Sequence, residues 1–182
     1  MPKPKSSPGS VLRLVRSDEG RLELDEIYRA YGRYVAAVIL RLDGRATDVD
    51  DLVQDVFVAA AAGLAQIREP EAIKGWLATI TVRIVRRRLQ WRRLWRFFGG
   101  DRGIELAEPA DPGASPLDRA LLSAVYRVLD EMPTENRLAF SLHVIEGEPM
   151  ETVATLCGCS FSTAKRRVSR AQRQIAERFS DG

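Results

Sequence analysis

Between Arg83 and Arg96 the chain places seven arginines and no carboxylate. The chemistry of such a run is recognition: guanidinium groups fork onto phosphates and base edges and stack on planar groups. The surrounding stretch, WLATITVRIVRRRLQWRRLW from Trp76 to Trp95, contains no Gly or Pro, and its period predicts one continuous helix. At about 100° per residue, Leu77, Ile80, Val82, Ile84, Val85, Leu89, Trp91 and Trp95 share a broad apolar sector. Thr79, Arg83, Arg86, Arg87, Gln90 and Arg93 lie on the opposite arc. One face is suited to packing, the other to negative charge. The alternative is an amphipathic helix with an ordinary solvated face, but such faces mix signs, because like charges three or four residues apart repel.

A second basic face comes near the end of the chain. Ser160 is placed to cap a helix running from Phe161 to about Phe179. Phe161, Ala164, Val168, Ala171 and Ile175 fall on one side of it, and Ser162, Lys165, Arg166, Ser169 and Arg173 on the other, flanked by Thr163, Arg167 and Arg170. A short helix from Pro149 to Leu156 and the tight turn Cys157-Gly158-Cys159 precede it. These are helix-turn-helix proportions, in which the second helix enters the major groove. Arg and Lys there reach guanine edges, while Ser and Thr reach bases or phosphates. The alternative is a plain helical hairpin.

A third surface has the opposite sign. In DVDDLVQDVFVAAAAGL, Asp48 is a plausible N-cap, and Leu52, Val53, Val56, Phe57 and Ala60 form a packing face. Asp51, Gln54, Asp55 and Val58 lie opposite. An apolar residue within an acidic face suits a partner surface; a merely solvated acidic face is the competing reading.

These surfaces need elements to hold them, and the period supplies only helices. Leu24, Ile27, Tyr28, Tyr31, Val35, Val38, Ile39 and Leu42 mark a first helix closed by Asp43-Gly44. Leu117, Leu121, Leu122, Val125, Val128 and Leu129 mark another, and a helix carrying Leu138, Ala139, Leu142 and Ile145 runs from Pro133 to Gly147. Residues 99–116, GGDRGIELAEPADPGASP, lack any apolar period and read as a flexible, acidic linker. The fold expected is all-α: two small helical domains, residues 21–98 and 117–182, joined by that linker, the second a helix-turn-helix. Residues 1–20, rich in Pro, Ser, Gly and charge, read as a flexible tail.

Composition narrows the function. Of 182 residues, 45% are apolar, enough for ordinary cores. The net charge is only +3, but its uneven placement suits a basic surface for nucleic acid and an acidic one for something else. No stretch approaches the roughly 20 apolar residues of a membrane span, and MPKPKSSPGS lacks the apolar core of a signal peptide, so no stable membrane insertion and a cytoplasmic location are expected. His143 is the only histidine. No nucleophile–base pair, Gly-rich phosphate loop or metal-ligand cluster is evident, so neither enzyme activity, a metal nor a cofactor is expected. Cys157 and Cys159 read as small, partly buried turn residues, with a thiol switch as the alternative.

Taken in order, three stretches resemble the extracytoplasmic-function group of bacterial sigma factors, in the sigma-70 family. DVDDLVQDVF at 48–57 is similar to that group's acidic helix, and KGWLATI at 74–80 to its W-L-x-x-I segment. LDEMPTENRLAFSLHVIEG at 129–147 with STAKRRVSRAQRQI at 162–175 is similar to its helix-turn-helix region. The resemblance covers most of residues 22–178. It implies a promoter-specificity subunit of RNA polymerase that performs no chemistry itself. Core-polymerase contact, through the beta-prime clamp helices, falls on Asp51, Gln54 and Asp55, and a contact with the beta flap is also implied. Reading of a melted minus-ten strand falls on the loop from Gln66 to Lys74 and on Lys74, Thr79, Arg83, Arg86, Arg87 and Gln90. Reading of a duplex minus-thirty-five element falls on Ser162, Thr163, Lys165, Arg166, Arg167, Ser169 and Arg170. An anti-sigma protein is an implied partner. The family commonly carries Asn at the position of Arg83, Asp at that of Arg87, Gly at that of Ser162 and Ser at that of Arg166. The rival reading is a stand-alone helix-turn-helix regulator binding duplex DNA without polymerase, which has no need of the acidic face.

Overall fold

The computed structural model describes residues 23–45, 47–67, 69–98 and 115–180. All regular structure there is helical. Helix α1 is Leu24–Asp43, α2 is Val49–Gly63 and α3 is Ile73–Phe97. Helices α4, Pro116–Glu131, and α5, Thr134–Phe140, follow, and α5 runs into one turn of π-helix at Ser141–Ile145. Helices α6, Met150–Cys157, and α7, Phe161–Ser180, complete the order. The tail at 1–20 and most of the expected linker lie outside the described residues.

Helices α1, α2 and α3 pack on one another as one bundle, and α7 packs against α4, α5 and α6 in another. The residues responsible are largely those of the helical period. Ile27, Val35, Ile39 and Leu42 of α1, Val56 and Ala60 of α2, and Leu77, Val82 and Val85 of α3 are buried together. The same apolar cluster continues into the second bundle through Leu138, Ala139, Val153, Cys157, Ala164 and Val168. A smaller cluster of Tyr126, Val128, Leu129, Met132, Phe140 and Ala171 joins α4 to α5 and α7.

The helix ends explain where the chain turns. Gly44 adopts a left-handed conformation at φ +67° and donates its N–H to Leu40 O, ending α1. A side chain at Gly44 would meet the Tyr126 ring at 2.2 Å, so the residue also admits the second bundle. Ser115 caps α4 in a reciprocal capping box with Asp118, and Pro116 occupies the first turn. That helix therefore begins one residue earlier than the apolar period alone marks. Asp48 stands at the start of α2 but makes no side-chain cap; its carboxylate pairs with Arg88 instead.

Three expectations of burial are corrected. Trp91 and Trp95 are each 61% exposed, although their phase assigns them to the packing sector. Helix α3 runs on to Phe97, but among its described residues Leu89 is the last that is buried, and beyond it only arginine side chains reach back to Asp43 and Asp130. Leu117 and Leu121 are exposed at the start of α4, and Phe161 is exposed at the start of α7. Apolar periodicity registers phase around a helix axis and carries no information on where along that axis a partner ends.

Candidate nucleic-acid and protein interfaces

The acidic ridge is the simplest surface. Asp51, Gln54 and Asp55 are all exposed on α2, and Val58 beside them is 65% exposed. Their helix is held from behind by Leu52, Val53, Val56 and Phe57. On one side of the ridge an open groove of about 550 Å³ runs between α1 and α2, lined by Leu24, Tyr28, Gln54, Phe57 and Val58 among others. Tyr28 is half exposed and meets the Phe57 ring edge-on at 4.9 Å between centroids. Periodicity places Tyr28 with the core; the groove shows that part of that stripe faces outward. On the ridge's other side an open cleft of about 450 Å³ is lined by Asp55, Val58, Ala59, Arg83, Ile84 and Arg87. Asp55 thus stands between the acidic ridge and the arginine face.

On α3 the residues expected to meet a polyanion divide in two. Thr79, Arg83, Arg87, Gln90 and Arg93 are exposed along one side. Lys74, also exposed, lies over the Tyr34 ring at 5.0 Å, and the Thr79 hydroxyl donates to Gly75 O at 3.0 Å. Arg86 belongs to the same arc by sequence but is turned onto the second bundle. Its Nη2 donates to Cys157 O at 2.9 Å, and its Nε lies 3.2 Å from Glu135 Oε1.

The helix-turn-helix forms as expected. Gly158 adopts φ +61°, and the N–H groups of Gly158 and Cys159 donate to Thr155 O and Ala154 O, closing α6. Ser160 Oγ accepts from the Thr163 N–H at 3.2 Å and donates to Thr163 Oγ1 at 2.9 Å, so Thr163 is engaged in capping α7. Ala164, Val168 and Ala171 bury the inner face. Ser162, Lys165, Arg166, Ser169 and Arg170 are exposed on the outer face. Arg167 is half buried, its Nη1 3.1 Å from Glu135 Oε2. Burial pushes the Cys157 thiol up to about 11, which suppresses its thiolate near neutrality and disfavours the thiol-switch reading at that residue.

Between the bundles runs a seam of charge. The carbonyls at the end of α1, ordinarily left without partners, are met by the second bundle. The Tyr126 hydroxyl donates to Arg41 O at 2.8 Å, and Arg137, only 2% exposed, donates to Leu42 O and, at 2.7 Å, to Asp43 O. Arg137 also pairs with the buried Asp130, which accepts from Arg45 Nη2 at 3.0 Å. Arg92 grips Asp43 through both guanidinium arms, Arg96 donates to Asp130 O at 2.6 Å, and Arg41 pairs with Glu146. Burial pushes the Asp130 carboxyl up, but Arg137, Arg45 and Arg92 outweigh it and hold the group below its ordinary value. Burial, reinforced by the like charges of Arg137 and Arg45, brings Arg92 down to about 10 despite Asp43 beside it.

Sequence pattern marks none of these pairings, nor the pairing role of Glu135. Apart from Arg137 and Asp130, the partners are distant along the chain, and only Arg92 and Arg96 belong to the conspicuous arginine run.

Comparison with known proteins agrees with this architecture. Residues 27–97 match the family described as Sigma-70 region 2, and residues 122–178 match Sigma-70, region 4. The chain is 29% identical over 158 residues to a probable RNA polymerase sigma factor, RfaY, of Xanthomonas campestris pv. campestris, covering 81% of this chain and 40% of that one. It is 27% identical to the probable ECF RNA polymerase sigma factor SigI of Mycobacterium tuberculosis, covering 82% of this chain and 53% of that one. The chain therefore spans about half the length, or less, of these relatives. It is 25% identical to the RNA polymerase sigma-H factor of Pseudomonas aeruginosa, and that match covers 91% of this chain and 89% of the other. Among solved structures, the sigma factor RpoE of Bartonella quintana, in complex with the anti-sigma factor NepR, superposes with a TM-score of 0.61 at 26% identity, covering 84% of this chain and 94% of that one.

Proposed function

The chain belongs to the sigma-70 family, in its extracytoplasmic-function group, and on that premise we propose that it directs core RNA polymerase to promoters and helps open them. The observation that carries this reading is the exposed ridge of Asp51, Gln54 and Asp55 beside an open apolar groove, in the same chain as a helix-turn-helix. A regulator that binds duplex DNA alone has no use for that ridge. A polymerase subunit does: it offers carboxylates for charged partners and, in Val58 and Tyr28, apolar area to bury.

In this reading the ridge docks on the clamp helices of the beta-prime subunit, and the second domain meets the beta flap. The exposed side of α3, with Lys74, Thr79, Arg83, Arg87 and Gln90, tracks the melted minus-ten strand. The outer face of α7, with Ser162, Lys165, Arg166, Ser169 and Arg170, reads the minus-thirty-five duplex, Arg166 and Lys165 being placed for guanine edges. Arg83 and Arg87, where the family commonly has Asn and Asp, shift α3 toward phosphate contact. The domains are taken as 21–98 and 117–182. The protein acts in the cytoplasm, catalyses no reaction itself, and is held in check by an anti-sigma protein, the kind of partner bound to the Bartonella relative.

Reconstituted transcription is the test. Adding the protein to core polymerase on a promoter library should yield discrete start sites; a pattern matching core alone would overturn the proposal. Asp51→Ala with Gln54→Ala should weaken core binding about tenfold or more, as for truncation at an interface hot spot, while duplex binding by the full chain is retained. Unchanged core affinity would remove the ridge from the interface.

A further inference from the structure

Among the described residues, Glu135 is the one carboxylate paired with both DNA-reading helices. Its Oε1 faces Arg86 Nε of α3 at 3.2 Å, and its Oε2 faces Arg167 Nη1 of α7 at 3.1 Å. We propose that Glu135 is an internal stand-in for a DNA phosphate, holding one arginine from each DNA-binding domain in the unbound chain until nucleic acid displaces it. This rests on the sigma reading and deepens it: the family resemblance implies Arg86 for the minus-ten strand and Arg167 for the minus-thirty-five duplex, and in the unbound chain both are turned onto Glu135.

The contact is poised to yield. Arg86 Nε and Arg167 Nη1 are shut from solvent, yet neither makes an aligned hydrogen bond. Toward Glu135 each therefore has charge attraction without the directional bond that a guanidinium–phosphate fork supplies, and Arg86 bonds instead through Nη2 to Cys157 O. Two guanidiniums share one carboxylate, so the local charge remains positive and invites a second anion. Nor does the packing of the bundles depend on Glu135. The Arg137 seam and the shared apolar cluster join them independently. Glu135 is only half buried, with its side chain 32% exposed, so a phosphate can approach and replace it.

The experiment uses the full chain, with an oligo-dT single strand and a mixed-sequence duplex as probes, because phosphate competition needs no particular sequence. Glu135→Gln should tighten binding to both probes by about fivefold, the scale of one or two partly exposed ion pairs. Glu151→Gln removes the same charge from an exposed position on α6 that pairs with neither arginine and should give a clearly smaller gain. In an Arg86→Gln background the gain for oligo-dT should vanish. Independently of DNA, the Nε–H resonance of Arg86 should exchange with water more slowly than that of exposed Arg83, and lose that protection in Glu135→Gln. An equal gain from Glu151→Gln, or no gain from Glu135→Gln, overturns the proposal. So does an Arg86 Nε–H as labile as that of Arg83, and that result leaves the sigma reading intact. A protected Arg86 in a chain that binds neither probe, with or without Glu135, overturns both.

Discussion

Arginine does two different jobs in this molecule. In the seam between the bundles, Arg137 is almost wholly buried and spreads its donors over Leu42 O, Asp43 O and Asp130. On the outer faces of α3 and α7, Arg83, Arg87, Arg166 and Arg170 are exposed and make no ion pair among the described residues. The residue type is the same and the net charge is the same. What differs is desolvation. A guanidinium taken out of water has to be met by carboxylates and carbonyls with good geometry, and the cost of removing one partner is then large. An exposed guanidinium retains water and remains available to a ligand. Arg86 and Arg167 lie between these extremes, half buried and paired through one carboxylate.

The comparison breaks first at the seam. Arg137→Ala should destabilise the fold by about 3–5 kcal/mol, because it removes the donor from the Leu42 and Asp43 carbonyls and leaves buried Asp130 with Arg45 as its remaining side-chain partner. Denaturant titration measures this, and a loss below about 1 kcal/mol would place Arg137 with the exposed set. On the outer face the same truncation should spare stability. Arg166→Ala should leave the unfolding midpoint nearly unchanged but weaken the preferred minus-thirty-five duplex by about 1–3 kcal/mol, relaxing specificity at one base pair. A loss equal across all duplexes would mark a phosphate contact.

The smallest effect is the acid response of the seam. The Asp130 carboxyl is held below its ordinary value, so the folded chain binds this proton less readily than the unfolded one. Its contribution is therefore complete above the ordinary aspartate range and lost as the pH falls through the folded value. Stability should decline on acidification below about pH 4, and Asp130→Asn should flatten that limb. An unaltered acid limb in the variant would show that the arginines do not hold this carboxylate.

Much of the fold was legible along the chain. The positions of α1 to α7, the left-handed glycine after α1, the serine cap on α7 and the turn at Cys157-Gly158-Cys159 all follow from local rules, because each depends on residues within a turn or two. The acidic ridge was legible for the same reason: Asp51, Gln54 and Asp55 share one side of one helix. The exposure of Trp91 and Trp95 was not, since it depends on how far α1 and α2 extend along α3.

Sequence alone determined that this chain is helical, that its cations gather on two helices and its anions on a third, and which side of each helix packs. Only the tertiary structure decided which arginines remain available. Asp43 and Glu135 become partners of Arg92, Arg86 and Arg167 through the crossing of helices that lie far apart in sequence, and Asp130 meets Arg137 where α4 turns into α5. Helical period fixes direction around an axis, whereas pairing of charges depends on distance in space, and that distance exists only once the bundles have packed.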